Sequence, residues 1–380
     1  MKGFKNANIY IEGKGIVKSS LAIENGKIVS FNETKDAREL SDEFIIVPGF
    51  IDKHIHGANH SDSMYPTLDD IKNISITIAR EGVTSYMPTT MTQSEENIDK
   101  ALKNIKEYIE KENKEGAFVL GTHLEGPFIS PKFKGAQPER YIVPCSVEEF
   151  MYYQAASGNN IKQVTLAYEE NGKDLCNYLF SQGIVASIGH TNATALEVLE
   201  AAKNGVTSAT HTYNAMKPLH HREAGTVGGV MLADTIYAEL IADLVHVSPE
   251  AIRVLCKVKG LDKIVLVTDA IESKHLPDGI YNLGGQDVIV KGREARLADG
   301  TLAGSTLKMN QAIKNIINVL NISLEKAIDL ATINPARNLG IDNVKGSIAL
   351  GKDADLTIID KDLNIYMTIS KGNIIYNSID

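Results

Sequence analysis

The sequence has few cysteines, no long apolar run and no excess of basic charge, and each shortage excludes a class of protein. The three cysteines are odd in number and far apart, which is typical of reduced thiols rather than a disulfide framework. No apolar run reaches the roughly 18–20 residues that span a bilayer, and the N-terminus lacks the apolar core of a signal peptide. The net charge of −9 argues against a nucleic-acid partner. We therefore expect a cytoplasmic protein with neither a membrane nor a nucleic-acid partner.

What the chain does contain is a regular alternation of strands and helices through its middle. Eight apolar segments, each leading into a helical stretch, are predicted strands: 50–56, 83–88, 117–123, 163–168, 184–189, 207–211, 236–242 and 263–268. Ser248-Pro249, for example, is a typical helix start. A Gly-rich, β-like stretch over 272–306 interrupts the alternation near its end. Eight strand–helix repeats predict an α/β fold with a parallel (β/α)₈ TIM barrel.

Both chain ends are strand-rich instead. Asn25-Gly26 between apolar runs is a strong hairpin signal, and the C-terminus repeats the same alternating pattern. Neither end has enough strands to be stable alone. We therefore predict a small β-sandwich built from residues 1–48 and 346–380, next to a barrel spanning 49–345.

Imidazoles and carboxylates stand where several predicted barrel strands end. They are His54, His56, Glu125, His190, His211 and Asp269. In a barrel of this kind the carboxyl ends of the strands form the active face. Imidazoles with one carboxylate suit zinc, iron or manganese better than calcium or magnesium. Asp269, at the last strand, has the position of a general base toward a metal-activated water. The pattern predicts a metal-dependent hydrolase.

The remaining histidines have weaker signals. His123 lies two residues before Glu125 and is interpreted either as a hydrogen-bonding partner of the ligands or as a core residue, with the core slightly favoured. We expect His60, His220 and His275 to lie on the surface.

Motifs along nearly the whole chain resemble known enzymes. Pro48-Gly-Phe-Ile-Asp-Lys-His-Ile-His-Gly57 is similar to the opening signature of the amidohydrolase superfamily. The segments His123–Phe128, Ser187–Thr194, Thr210–Met216, Leu266–Ala270 and Leu302–Ser305 resemble, in the same order, those of the N-acetylglucosamine-6-phosphate deacetylase family. The resemblance implies hydrolysis of the acetamide of N-acetylglucosamine 6-phosphate to glucosamine 6-phosphate and acetate.

The resemblance also implies roles for individual residues. Glu125, His190 and His211 match the ligands of the principal metal, with zinc or iron expected. His54 and His56 complete a pair that can hold a second ion, and Asp269 matches the catalytic acid/base. The positions that match substrate contacts are Ala136, Gln137, Asn214, Ala215, His246, Leu302, Ala303 and Gly304. Arg222 matches an arginine that reaches the sugar phosphate across the interface of a homodimer.

The chain departs from the family pattern at three places. Gln137 stands where a histidine commonly helps to polarise the acetyl carbonyl, and it offers an uncharged donor instead. Residues 58–62 replace a glycine-rich run, and Leu244 stands where glycine is usual. These changes put the identity of the sugar in question more than the chemistry.

Three alternatives remain open from the sequence. The same chemistry could act on another amino sugar such as N-acetylgalactosamine 6-phosphate. A different amidohydrolase reaction, on a cyclic amide or a dipeptide, is a second alternative, although Glu125 occupies the region where those relatives often carry a carboxylated lysine. A barrel that has lost catalysis and serves as a binding protein is the third, and the intact ligand set counts against it.

Overall fold

The computed structural model describes residues 2–111 and 114–379, and two parallel sheets form its central barrel. One sheet contains Phe50–Ile55, Val83–Pro88 and Phe118–Val119; the other contains Thr122–Glu125, Ile161–Leu166, Val185–Ile188, Val206–Ala209, Tyr237–Ile241 and Ile264–Val267. A bridge between Thr89 and His123 joins the sheets on one side. On the other side the Asp269 amide donates to the His54 carbonyl at 2.8 Å. Because Phe118–Val119 and Thr122–Glu125 are consecutive parts of one strand, the barrel has the eight strands that the sequence predicts.

A helix follows each of these eight strands. In order they are Leu68–Ala79, Glu95–Glu110, Val147–Ala156, Gly172–Ser181, Ala195–Lys203, Gly225–Leu232, Pro249–Lys259 and Met309–Leu320, with Leu324–Asp329 and Ile333–Asn338 after them. Short 3₁₀ turns lie at Pro131–Phe133, Glu139–Tyr141 and Leu261–Lys263. Ser248 caps its helix by accepting from the Ala251 amide at 3.3 Å, with Pro249 at the first helical position, as expected. Within the described ranges, no helix is long and apolar enough to cross a membrane.

Strands from both chain ends pair in one sheet. They are Gly3–Ile11, Gly15–Glu24, Lys27–Ser30, Arg38–Glu39 and Ile45–Pro48 from the first end, and Leu356–Ile359, Ile365–Ser370 and Asn373–Asn377 from the second. The two sets meet where Ile45–Pro48 runs antiparallel to Leu356–Ile359. Asn25 and Gly26 form the expected hairpin turn with φ of 49° and 75°, as a type I′ turn requires. The pairing of the two ends is therefore present, as one continuous sheet.

The stretch after the eighth barrel strand forms a separate small antiparallel sheet. Its strands are Gly279–Leu283, Gln286–Lys291 and Glu294–Arg296. It shares an apolar cluster with Met91, Ile271 and Ala303, which fixes it beside the carboxyl ends of the barrel strands. A two-residue ladder, Gly57–Ala58 with Ser61–Asp62, lies just past the first barrel strand.

Candidate active site and metal centre

The six polar residues predicted at the strand ends converge in one buried cluster. Oε1 of Glu125 lies 3.4 Å from His54 Nε2, 3.3 Å from His190 Nε2 and 3.2 Å from His211 Nε2. Oδ1 of Asp269 lies 3.3 Å from the same nitrogen of His54 and 3.1 Å from His56 Nε2. The fold thus brings together residues that are up to 215 positions apart in the chain (269 − 54).

The cluster contains two possible metal subsites that share Glu125. One group is His54, His56 and Glu125, and the other is Glu125, His190 and His211; in each, the ligand atoms lie within 4.8 Å of one another. We call the group with His54 and His56 the first subsite and the group with His190 and His211 the second subsite. A carboxylate has two oxygens and can serve both groups at once.

The imidazole rings are turned so that Nε2 faces the centre of the cluster. In three of them Nδ1 is occupied by an acceptor on the far side: His54 by Glu239 at 3.2 Å, His56 by the Thr89 carbonyl at 3.2 Å, and His190 by the Phe133 carbonyl at 3.0 Å. A hydrogen bond at Nδ1 fixes the tautomer that leaves the Nε2 lone pair free, which is the usual arrangement of histidine ligands.

The backbone is strained at three of these positions. His190, His211 and Asp269 have φ of 47°, 30° and 48°, the left-handed region that non-glycine residues rarely adopt. Each lies two residues beyond the last residue of a barrel strand. Such conformations cost about 1–3 kcal/mol each and cluster at functional sites. Here the strained turns direct three side chains into the barrel mouth.

The electrostatics of the cluster favour a bound cation. Burial alone would lower the pKa of His56, but its contacts with Asp269 and Glu125 outweigh burial and raise the pKa to about 10. Burial would raise the pKa of Glu125, yet His54 and the neighbouring imidazoles hold it well below its usual range. Within the described chain, His54 Nε2 and Glu125 Oε1 are buried without a hydrogen-bond partner. Imidazole nitrogens and a carboxylate fit a divalent metal such as zinc or iron.

A cavity of about 200 Å³ opens beside the cluster. Seven of the residues expected to bind substrate line it: Ala136, Gln137, Asn214, Ala215, His246, Leu302 and Gly304. Ala303 is fully buried behind the wall, and Arg222 is exposed on the surface. Gly304 has φ of 61°, and a Cβ there would lie 2.4 Å from Ile271 Cγ2. Glycine at this position therefore allows the wall to pass close behind Asp269.

Several residues that shape the site were not predicted from the sequence. Met91, Leu283 and Thr301 line the cavity, and Leu283 comes from the small sheet after the eighth strand. Asp243 accepts from His246 Nδ1 at 2.7 Å, which holds that imidazole at the cavity. Glu239 contacts His54 from below. A charged residue inside an otherwise apolar strand, as in Tyr237–Ile241, was the available signal for Glu239.

The structure shows the surroundings of two residues that depart from the family pattern, Gln137 and Leu244. Gln137 donates from Nε2 to Glu125 Oε2 at 2.9 Å, and its Oε1 accepts from the Thr92 amide at 2.7 Å. Leu244 has φ of 65°, a conformation that glycine adopts without strain. The leucine therefore keeps the turn that glycine would form, at a cost in backbone strain.

The other histidines divide between surface and interior. His60 and His220 are exposed, as predicted. His275 is only partly exposed, at 20% of its side chain, and it pairs with the buried Glu81 at 2.7 Å. His123 is fully buried, and it also lies against a candidate ligand, since its ring centroid is 4.6 Å from that of His54. A carboxylate elsewhere in the chain decides the placement of His275, which local sequence cannot reveal.

Comparison with known proteins places this barrel and metal centre in a defined class. The model of the amidohydrolase family matches residues 45–375. The chain belongs to the amidohydrolase family. Membership together with the ligand set indicates an enzyme that depends on a divalent metal.

Within that family the chain is similar to amino sugar phosphate deacetylases. It is 41% identical to the N-acetylglucosamine-6-phosphate deacetylase of Bacillus subtilis (strain 168), over 98% of this chain and 97% of the relative. It is 35% identical to the N-acetylgalactosamine-6-phosphate deacetylase of Escherichia coli O157:H7, over 93% of this chain and 94% of the relative. The crystal structure of the N-acetylglucosamine-6-phosphate deacetylase from Thermotoga maritima superposes with a TM-score of 0.90 at 38% identity, covering 99% of this chain and 100% of that one.

Proposed function

We propose that the protein hydrolyses the acetamide of N-acetylglucosamine 6-phosphate to glucosamine 6-phosphate and acetate. The observation that carries this proposal is the convergence of four imidazoles, Glu125 and Asp269 beside a cavity, in a chain 41% identical over 98% of its length to a deacetylase with this name.

The metal would be held mainly by Glu125, His190 and His211, with His54 and His56 able to hold a second ion. Zinc or iron suits these ligands. A bound divalent metal would supply Lewis-acid polarisation of the acetyl carbonyl and lower the pKa of a coordinated water. The chain's own contribution is a rigid set of nitrogen and oxygen donors that needs little reorganisation on binding.

Asp269 is the proposed acid/base. Its Oδ1 is 3.1 Å from His56 Nε2, and its carboxylate lines the cavity. The group would accept a proton from the attacking water and return it to the departing nitrogen of the sugar, because expulsion of an unprotonated amine is slow. Contacts with His54 and His56 hold the pKa of Asp269 below its usual value against the effect of burial, so the carboxylate is ionised and able to accept.

The cavity wall would orient the sugar. We propose that His246, held by Asp243, binds the sugar together with Asn214, Ala215 and the stretch 302–304. Ala136 and Gln137, on the loop after Thr122–Glu125, also line the cavity. The Gln137 amide has two hydrogens, one of which is bonded to Glu125. We propose that the other donates to the acetyl oxygen.

The phosphate would be bound by Arg222 from a second copy of the chain. Arg222 is exposed and outside the cavity of its own chain. On two adjacent helices and on the loop before the second, which also carries Arg222, Leu196, Leu219 and Leu232 are 78%, 56% and 62% exposed. Large exposed apolar side chains on neighbouring elements are consistent with an interface. We propose a homodimer with this surface at its centre.

Acetate release from a panel of phosphorylated and unphosphorylated N-acetyl sugars, with metal analysis of the same protein, tests the function. We expect N-acetylglucosamine 6-phosphate to have the highest kcat/KM. A higher value with N-acetylgalactosamine 6-phosphate would replace the proposed substrate with that of the E. coli relative. Activity only on cyclic amides or dipeptides would move the protein to another amidohydrolase reaction. Metal binding with no hydrolysis of any member would favour a binding protein.

Our proposals also cover the β-sandwich, the bounds of the two structural units and the location of the protein in the cell. We propose that the sheet of the two chain ends folds over its own apolar cluster, which includes Phe4, Ile46 and Ile358, as a small β-sandwich. Residues 1–48 and 346–380 would form this unit and 49–345 the barrel. A cytoplasmic location stays a prediction.

A further inference from the structure

A buried ion pair that the reaction does not use lies directly beneath the candidate metal centre. Lys53 Nζ is 3.0 Å from Glu239 Oε1, and both side chains are fully buried. Lys53 also donates to Gln163 Oε1 at 2.7 Å, to Ser208 Oγ at 3.0 Å and to the Asn338 side chain. Every ammonium hydrogen therefore has an acceptor, and the pair is held rigidly inside the barrel.

The other oxygen of Glu239 contacts one histidine of each subsite. Its Oε2 accepts from His54 Nδ1 at 3.2 Å, the side chain of a first-subsite ligand. The same oxygen accepts from the backbone amide of His211 at 3.3 Å, a ligand of the second subsite. Since His211 has φ of 30°, this bond restrains the strained turn that directs its ring. One carboxylate thus fixes ligands in both subsites while touching no ligand atom.

The partner of His54 differs in charge from those of its neighbours. Nδ1 of His56 and of His190 face neutral backbone carbonyls. An ionised carboxylate behind an imidazole makes the Nε2 atom a stronger donor to a metal than a neutral carbonyl does. The effect of Glu239 should therefore be largest in the first subsite, through His54.

Stability alone does not explain the ion pair. Replacing both partners of a buried pair with well-packed hydrophobic residues of similar volume is often neutral or stabilising, because desolvation of the charges offsets their attraction. We propose that Lys53 and Glu239 are positioning residues, which hold the ring of His54 and the backbone of His211 so that the chain binds two metal ions. This proposal rests on the metal sites of the proposed function, and it adds that Lys53 and Glu239 control whether metal ions occupy those sites.

The test is metal binding by the double variant Lys53→Met/Glu239→Gln, which removes both charges together. Apo-protein is titrated with zinc in competition with a chelator, and the His54→Ala variant identifies the step that belongs to the first subsite. Loss of a group that orients a metal ligand typically weakens binding about 10- to 100-fold. We expect a loss of this size in the first subsite and a smaller one in the second.

The matched control is Glu81→Gln/Lys274→Met. This is another fully buried ion pair within the described residues, with 2.8 Å between Lys274 Nζ and Glu81 Oε2, and its salt bridges involve none of the candidate ligands. We expect its zinc affinities to equal those of the original protein. If the control weakens zinc binding as much as the Lys53/Glu239 variant, or if the latter binds both ions normally, the proposal is wrong.

A third variant covers the case in which the double variant does not fold. Glu239→Asp keeps both charges but withdraws the carboxylate from His54 by one methylene, and the same weakening is expected; unchanged affinity would again overturn the proposal. Failure of the proposed function is distinguishable, because an original protein that binds no zinc refutes the metal sites themselves. Zinc binding without a difference among the variants refutes only the role of Lys53 and Glu239.

Discussion

At the mouth of the barrel the chain buries carboxylates and imidazoles on a strained backbone, whereas the sheet of the chain ends encloses a cluster of apolar side chains. His190, His211 and Asp269 have left-handed φ values at the mouth. The sheet packs against the opposite ends of the first barrel strands, where the Thr357 hydroxyl donates to the Gly82 carbonyl at 2.8 Å. The mouth thus holds buried polar side chains on strained backbone, whereas the cluster within the sheet is apolar and contributes stability away from the mouth.

This contrast separates two kinds of substitution. Changes at the mouth should alter turnover or binding more than folding, because the residues there are held by the surrounding structure. Changes in the end sheet should alter the free energy of unfolding and leave the chemistry of each folded molecule intact.

The largest effect is expected from Asp269→Asn. Loss of a general acid/base typically costs about 10²- to 10⁴-fold in rate, so kcat should fall at least about 10³-fold if Asp269 serves both proton transfers. Asparagine keeps the shape of the side chain, and the ligands of the two subsites remain. Steady-state acetate release and elemental analysis of the same sample measure both properties. Retained turnover, or loss of the metal together with activity, would contradict the assignment.

The second prediction concerns the end sheet. Ile358 is fully buried there, so Ile358→Ala should lower the free energy of unfolding by about 2–5 kcal/mol. The control is Ile374→Ala in the same sheet, where the side chain is 45% exposed, and its change should be small. Denaturant titration measures both. A comparable fall in kcat per folded molecule would show that the sheet and the mouth are not separate in function.

The sequence predicts the functional residues at the barrel mouth better than it predicts the buried residues beneath them. The alternation of apolar runs predicts the eight strands, and His54, Glu125 and Asp269 are conspicuous because they lie at or just past the carboxyl ends of such runs. Lys53 and Glu239 escape prediction because single charged residues within strands usually face water. Only the closed barrel shows that both point inward and pair with each other.

The third prediction tests whether the mouth is completed by a second copy of the chain. Arg222→Ala should raise KM for the phosphorylated sugar about 10- to 100-fold, since a hydrogen bond to a charged group contributes about 1.5–3 kcal/mol. The kcat should change little, because the phosphate is remote from the bond that breaks. Arg293→Ala, another exposed arginine, is the control and should leave KM unchanged. An unaltered KM for Arg222→Ala would remove the basis for the shared site.

The smallest effect is expected from replacing Asp353, beside the end sheet, and it concerns the free energy of unfolding. Its carboxylate accepts from Lys27 Nζ at 2.5 Å and lies 2.9 Å from Lys345 Nζ. Burial would raise the pKa of Asp353, but these lysines hold it below its usual 3.8. The ionised form therefore stabilises the fold above about pH 4, and this contribution is lost as pH falls through the lowered pKa.

Asp353→Asn should accordingly lower the free energy of unfolding by about 1–2 kcal/mol at pH 7, and the gap from the original protein should close below about pH 4. Asp42→Asn, which removes an exposed pair with Lys18, should change stability by less than about 0.5 kcal/mol at either pH. Free energies of unfolding measured at pH 7 and pH 3 for the original protein and both variants test these expectations. A gap that widens in acid would mean that Asp353 is protonated in the folded state, and the ionic account of this part of the sheet would be wrong.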